Sequence, residues 1–187
     1  MKTSMKAVIA VVLCVSGAAS AQTSPYAGQQ QRAIKTLSDQ EVSALLAGQG
    51  AGFAKAAELN GYPGPLHVLE LADRLGLSPE QRNATQRLMS EHKERARALG
   101  AGLVDAEREL DGLFAQRAAA SDAVDAATRR VGLLQAELRA EHLKTHLAQT
   151  ALLSAEQVRQ YSVLRGYGEA GAGHRGDDAQ HHHRFQR

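Results

Sequence analysis

The sequence predicts an all-α protein, built as a long antiparallel helical hairpin with short flanking helices. Three observations carry this. Ala and Leu dominate the apolar residues, aromatics make up 4% of the 187 positions, Trp is absent, and Ile34 is the only Ile beyond residue 21. Strands draw on the β-branched and aromatic residues that this chain lacks. One helix-start signature occurs three times. Finally, two long stretches repeat apolar residues at steps of three and four on either side of a short break.

The N-terminus precedes any folded element. Lys2 and Lys6 are followed by a short apolar run, Ala7 to Val15, and by the small-residue site Ala19-Ser20-Ala21. This order predicts a signal peptide over 1–21, cut after Ala21. The run is too short to cross a hydrocarbon core of roughly 30 Å, and no later segment is apolar enough for a membrane helix. Cys14 is the only cysteine and follows Leu13, where a lipidation site wants a small residue. The mature chain therefore has no disulfide or thiolate site. Loss of Lys2 and Lys6 reduces the 22 Lys and Arg to 20, equal to the 20 Asp and Glu. That balance gives no reason to expect nucleic acid as a partner.

Residues 22–36 are polar and Gln-rich and are expected to be a flexible lead-in. A helical domain over 37–167 follows, and then a Gly-, Asp- and His-rich tail over 168–187, expected to be disordered. Within the domain, Leu37-Ser38-Asp39-Gln40-Glu41, Leu77-Ser78-Pro79-Glu80-Gln81 and Leu153-Ser154-Ala155-Glu156-Gln157 are helix starts. Ser38, Ser78 and Ser154 cap an orphan backbone N–H. The residue three positions on, Gln81 and Gln157 among them, reaches back to complete a capping box. Pro79 at the first helical position loses nothing by lacking an N–H.

Short helices are predicted over 38–47 and about 51–59, around the loose segment Gly48 to Gly52. No strand precedes that glycine run and no Lys-Ser/Thr follows it, so it is not a phosphate loop. A rigid turn, Asn60 to Pro65, leads to a short helix reaching about Leu75. The first long helix is predicted from Pro79 to Arg117, with a seam of Leu88, His92, Ala96, Leu99, Leu103, Ala106, Leu110 and Leu113. Gly100, Gly102 and Gly112 suggest a bend near residue 101. The second runs from about Asp122 to Thr150, with Val124, Ala127, Val131, Leu134, Leu138 and His142 on one side. The break between them allows only a tight reversal, so the two rods pack antiparallel. A last helix spans about 155–166. Such a hairpin leaves apolar surface uncovered, and a homodimer is expected to share it.

The order of these features resembles the Spy/CpxP family of periplasmic proteins, whose mark is a paired Leu-Thr-x-x-Gln motif. Ser78 and Ser154 stand here where Thr is usual, and either residue caps. The segment from Tyr62 to Ala72 leading into Leu77-Ser78-Pro79-Glu80-Gln81 is similar to members labelled periplasmic heavy-metal sensors or resistance proteins. The resemblance covers about 62–166. It implies a helical, dimeric, cradle-shaped protein of the Gram-negative periplasm. Such a protein is an ATP-independent chaperone for unfolded proteins, a partner of a membrane stress sensor, or a binder of Zn, Ni or Cu. The neutral mature chain and residues 38–59 depart from the smaller, basic chaperone members.

Two functional residue sets follow. His142 and His146 lie four apart on one helix face, a spacing that lets two imidazoles meet one ion. Folding the hairpin brings His92 level with about residue 147, with Glu91 or Glu141 as possible oxygen ligands. Imidazoles with carboxylates suit Zn, Ni or Cu(II). The alternative is that His92 and His142 are polar seam residues near a wet helix end, with His146 solvated. His67 with Glu70 is a second, weaker pair. His181, His182 and His183 in the tail bind transition metals weakly whatever their purpose. The other set, Arg87, Leu88, Arg95 and Leu99 on the first long helix, is a candidate client-binding face, or simply a solvated face with i,i+4 ion pairs. No cofactor is required by any motif, and no nucleophile elbow, His-Glu-x-x-His or dinucleotide fingerprint is present, so an enzyme is not expected.

Overall fold

A computed structural model describes residues 24–168. The proposed signal peptide with Cys14, and the tail histidines His174, His181, His182 and His183, lie outside the described residues. Within them the regular elements are a 3-10 turn, Gln29–Gln31, and six α-helices. These are α1 (Asp39–Leu46), α2 (Lys55–Glu58), α3 (Pro65–Glu70), α4 (Pro79–Ala115), α5 (Ser121–Ala151) and α6 (Ala155–Leu164). Among the described residues there is no β-strand, and no helix is long and apolar enough to cross a membrane.

All three capping boxes form. Ser38, Ser78 and Ser154 accept from the backbone N–H groups of Glu41, Gln81 and Gln157, and those side chains accept from the cap N–H in return. The second and third boxes also meet each other. Gln81 Nε2 donates to Gln157 Oε1 at 2.9 Å, and Gln157 Nε2 donates to Gln81 Oε1 at 3.0 Å. Each amide gives its other N–H to a backbone carbonyl, that of Leu152 for Gln81 and that of Leu75 for Gln157. Glutamine serves here because it both accepts at the cap and donates across to the other helix start, which a carboxylate cannot do.

α4 and α5 form the antiparallel pair, reversing through residues 116–120. Their seam has an apolar stretch, with Ala96, Leu103, Val104 and Ala106 facing Val131 and Leu138. Leu103, Val104 and Leu138 are each 3% exposed or less, and each such side chain contributes about 1.5–3 kcal/mol by burial. α1 adds Leu45 to this core. A second core gathers Val68, Ala72, Leu75 and Leu77 around Tyr161 of α6, which is wholly buried. Between the two cores the buried seam positions are polar: Thr85 and His92 on α4, and His142, Thr145, His146 and Gln149 on α5.

Several expectations need correction. The lead-in is tied down at its end. Ile34 is buried in the hairpin core, the Thr36 hydroxyl donates to Glu107 at 2.9 Å, and the Lys35 backbone donates to Asp111. A lone Ile in a polar stretch gives no periodic signal, so this anchor was not legible. α4 is one continuous helix through Gly100 and Gly102, as the seam predicts. Gly100 serves another purpose, because a Cβ there would lie 2.2 Å from the Leu45 carbonyl oxygen. Its lack of a side chain lets α1 approach the backbone of α4. The helix after Pro65 ends at Glu70 rather than near Leu75, and the second short helix begins at Lys55, after a turn in which Gly52 has φ +82°.

Candidate functional site

The polar stretch of the seam holds the three helix histidines. α5 presents His142 and His146 one turn apart, and α4 presents His92 across from them. His92 sits level with Glu141 to Thr145, a few residues from the register expected. All three are buried, at 6% exposure for His92, 4% for His142 and 8% for His146. The solvated position expected for His146 in the structural alternative is therefore not observed. The segment Tyr62–Gly64 folds over it, and the His146 Nδ1–H donates to the Tyr62 carbonyl at 2.7 Å. A side chain at position 64 would come within 2.8 Å of the His146 ring, so Gly64 makes room for it.

Each outer imidazole is oriented through Nδ1. His92 Nδ1–H faces Glu141 Oε1 at 3.1 Å and Thr145 Oγ1 at 2.9 Å, while Thr145 donates onward to the Glu141 carbonyl. Burial alone would raise the Glu141 carboxyl, but hydrogen bonds from Arg95 and His92 hold it below its ordinary value. Glu141 thus stays ionised and orients His92, and in both His92 and His146 it is Nδ1 that makes these contacts, not Nε2. A carboxylate or carbonyl behind an imidazole is the arrangement that orients a metal-ligating histidine.

His142 differs from both. Its ring lies edge-on to His92, with centroids 4.6 Å apart, and stacks on Phe53 at 5.9 Å. Its Nε2 is buried without a hydrogen-bond partner. Burial, then the neighbouring His92 and His146, push its pKa down to about 4. It is a neutral imidazole with an unsatisfied nitrogen, which costs about 1–3 kcal/mol in a buried site.

Glu58 of α2 completes the surroundings. Its Oε1 accepts from the Tyr161 hydroxyl at 2.6 Å and from Arg165 Nε at 3.3 Å. Burial, with the Glu58 carboxylate adding to it, holds the Tyr161 phenol well above its ordinary value, so it remains a donor. Glu58 Oε2 is buried without a partner and lies 3.8 Å from His146 Nδ1. His92, His142, His146, Glu58, His67 and Met89 all line one cavity of about 650 Å³. His67 is held by Glu70 at 2.7 Å.

Sequence reasoning found the three histidines and Glu141. It missed Glu58, Phe53, Met89 and Tyr161. Glu58 sits in a four-residue helix whose local sequence carries no periodicity, and only the tertiary fold brings it to the cavity. The donor chemistry suits a borderline transition metal. The donors are not yet assembled around one point, however, for among the described residues no group of three or more His, Cys, Asp or Glu is placed to hold an ion together. The other candidate face is only partly open. Arg87 is exposed and Leu88 half-buried. Arg95 pairs with Glu141 and Glu91, and Leu99 packs against the hairpin core.

The fold and site define a helical-hairpin protein with a buried cluster of three imidazoles at a cavity, His142 among them held neutral. The family model for heavy-metal resistance matches residues 42–160, and the chain belongs to that family. No curated protein and no solved structure matches it.

Proposed function

We propose that the protein is an exported, periplasmic metal-binding protein, a sensor or resistance component that takes up Zn, Ni or Cu(II) through His142 with His92 and His146. The observation that carries this is the buried His142 Nε2, which has no partner and belongs to a ring held neutral beside the cavity. A metal ion satisfies such a nitrogen without a proton, and neutral imidazole is the ligating form. Membership of the heavy-metal resistance family supports the reading, as does the signal-like N-terminus. The role is binding rather than catalysis. Calorimetric titration with ZnCl2 or NiCl2 tests it: one ion should bind with sub-micromolar affinity, and the paired change His142→Ala/His146→Ala should abolish this. Unchanged affinity in that variant refutes the reading.

A second reading rests on the outer half of the hairpin, where Phe114 and Leu133 are each 59% exposed. These residues support a homodimer, or ATP-independent holding of unfolded proteins in the manner of the Spy/CpxP proteins that the paired boxes resemble. Suppression of a client's aggregation, undiminished by chelator, would favour it. Failure to suppress aggregation with or without metal excludes it.

A further inference from the structure

The cavity suits an occupant that is larger than an ion and negatively charged. At about 650 Å³ it falls within the roughly 300–1,000 Å³ typical of small-molecule sites. Among the described residues no three His, Cys, Asp or Glu converge to hold an ion. An ion that takes about four to six ligands therefore has to bring some of them with it. Charge points the same way. Among the described residues Glu58 is the one carboxylate on the lining, and Arg165 offsets it by donating to Oε1. Glu141, behind His92, is offset likewise by Arg95. Lys55 and Lys93 also line the cavity, and neither ammonium pairs with a carboxylate among the described residues. The lining thus carries excess positive charge, which repels a bare dication and attracts an anion. The backbone N–H groups of Gly50, Ala51 and Gly52, on the same lining, donate to no acceptor among the described residues. They add hydrogen-bond donors for that anion.

We infer that the cavity takes its metal as an anionic chelate, an ion already held by a small oligocarboxylate, with carboxylates paired to Lys55 and Lys93 and the imidazole of His142 filling an open position on the ion. The inference rests on the metal-binding reading above and names the form in which the metal arrives. The step is a ligand exchange. A water leaves the ion, an imidazole lone pair takes its place, and no electron moves. Carboxylates that already occupy most of the ion's positions account for how few donors the protein supplies. They also account for ammonium groups at a site whose cargo is a cation, since the chelate as a whole is negative.

The test is equilibrium dialysis of the full chain against Ni(II) alone, radiolabelled citrate alone, and the two equimolar. The chain should retain citrate, one per chain, only when Ni(II) is present. It should hold Ni(II) about tenfold more tightly with citrate than without, the order expected of two exposed charge pairs. Lys55→Gln/Lys93→Gln, at two exposed positions, should lose the citrate and the tenfold gain. It should hold Ni(II) alone more tightly than the unaltered chain, because two repelling charges are gone. His142→Phe should also lose the citrate, with circular dichroism checking that its helices persist. If citrate strips Ni(II) from the unaltered chain, while Ni(II) alone binds and is weakened by His142→Phe, this inference fails and the metal-binding reading stands. Citrate retained equally without Ni(II), or equally by the lysine variant, also overturns the inference. If His142→Phe holds both Ni(II) and citrate as the unaltered chain does, both fail.

Discussion

Acidification should destabilise this protein through His142, in a pH window where its carboxylates change little. An exposed histidine has a pKa near 6.5, whereas His142 in the fold is pushed down to about 4. Between those values the unfolded chain takes up a proton that the folded chain refuses, so stability falls as pH falls. The contribution is fully present above about pH 6.5 and lost progressively toward pH 4. At about 1.4 kcal/mol per unit, the loss is roughly 3 kcal/mol, a large share of a domain stability of about 5–15 kcal/mol. Glu41 and Glu141, both lowered, titrate below their ordinary value near 4.5 and act at the acid end of the range. His142→Phe keeps the ring on Phe53 and removes the titrating nitrogen. Urea unfolding without metal at half-unit steps from pH 7.5 to 4.5 should show the fall in the unaltered protein and a much flatter curve in the variant. At pH 7.5 the variant should be at least as stable, because the unsatisfied Nε2 is gone. Parallel curves for the two proteins would refute the assignment of a buried, neutral His142.

Other perturbations follow from the packing. Gly100→Ala places a Cβ against the backbone of Leu45, so α1 must retreat; despite the better helix propensity of Ala, thermal unfolding should show a net loss of about 1–3 kcal/mol. Gly132→Ala on α5, where nothing lies within 4 Å, is the opposite case and should gain up to about 1 kcal/mol. Tyr161→Phe removes the donor to Glu58 from a wholly buried ring and should cost about 1.5–3 kcal/mol in chemical denaturation, as for other hydrogen bonds to charged groups. An unchanged midpoint would show that Arg165 alone satisfies Glu58.

The hairpin, the caps and the register were legible because they rest on local rules. Ser at each cap, the seam steps and the short break fix where α4 and α5 begin and how they face each other. His92, His142 and His146 followed from that register. What could not be read depends on tertiary approach. Gly100 resembles a helix weakener in sequence, and only the position of Leu45 shows why it is there. Ile34 and Glu58 lie in segments without periodicity and reach their places through contacts more than 40 residues away in sequence. The burial of His146 depends on the Tyr62–Gly64 turn folding across α5, a placement that no spacing within α5 encodes.

The amide clasp between Gln81 and Gln157 ties two helix beginnings 76 positions apart in the chain. Because each amide serves its own cap and its counterpart at once, fraying at the start of α4 strips α6 of its support as well, and the reverse holds. The two ends should open together, so amide protons in the first turns of both helices should exchange with solvent at a common rate despite their different lengths. The mouth of the molecule then behaves as a single hinged unit.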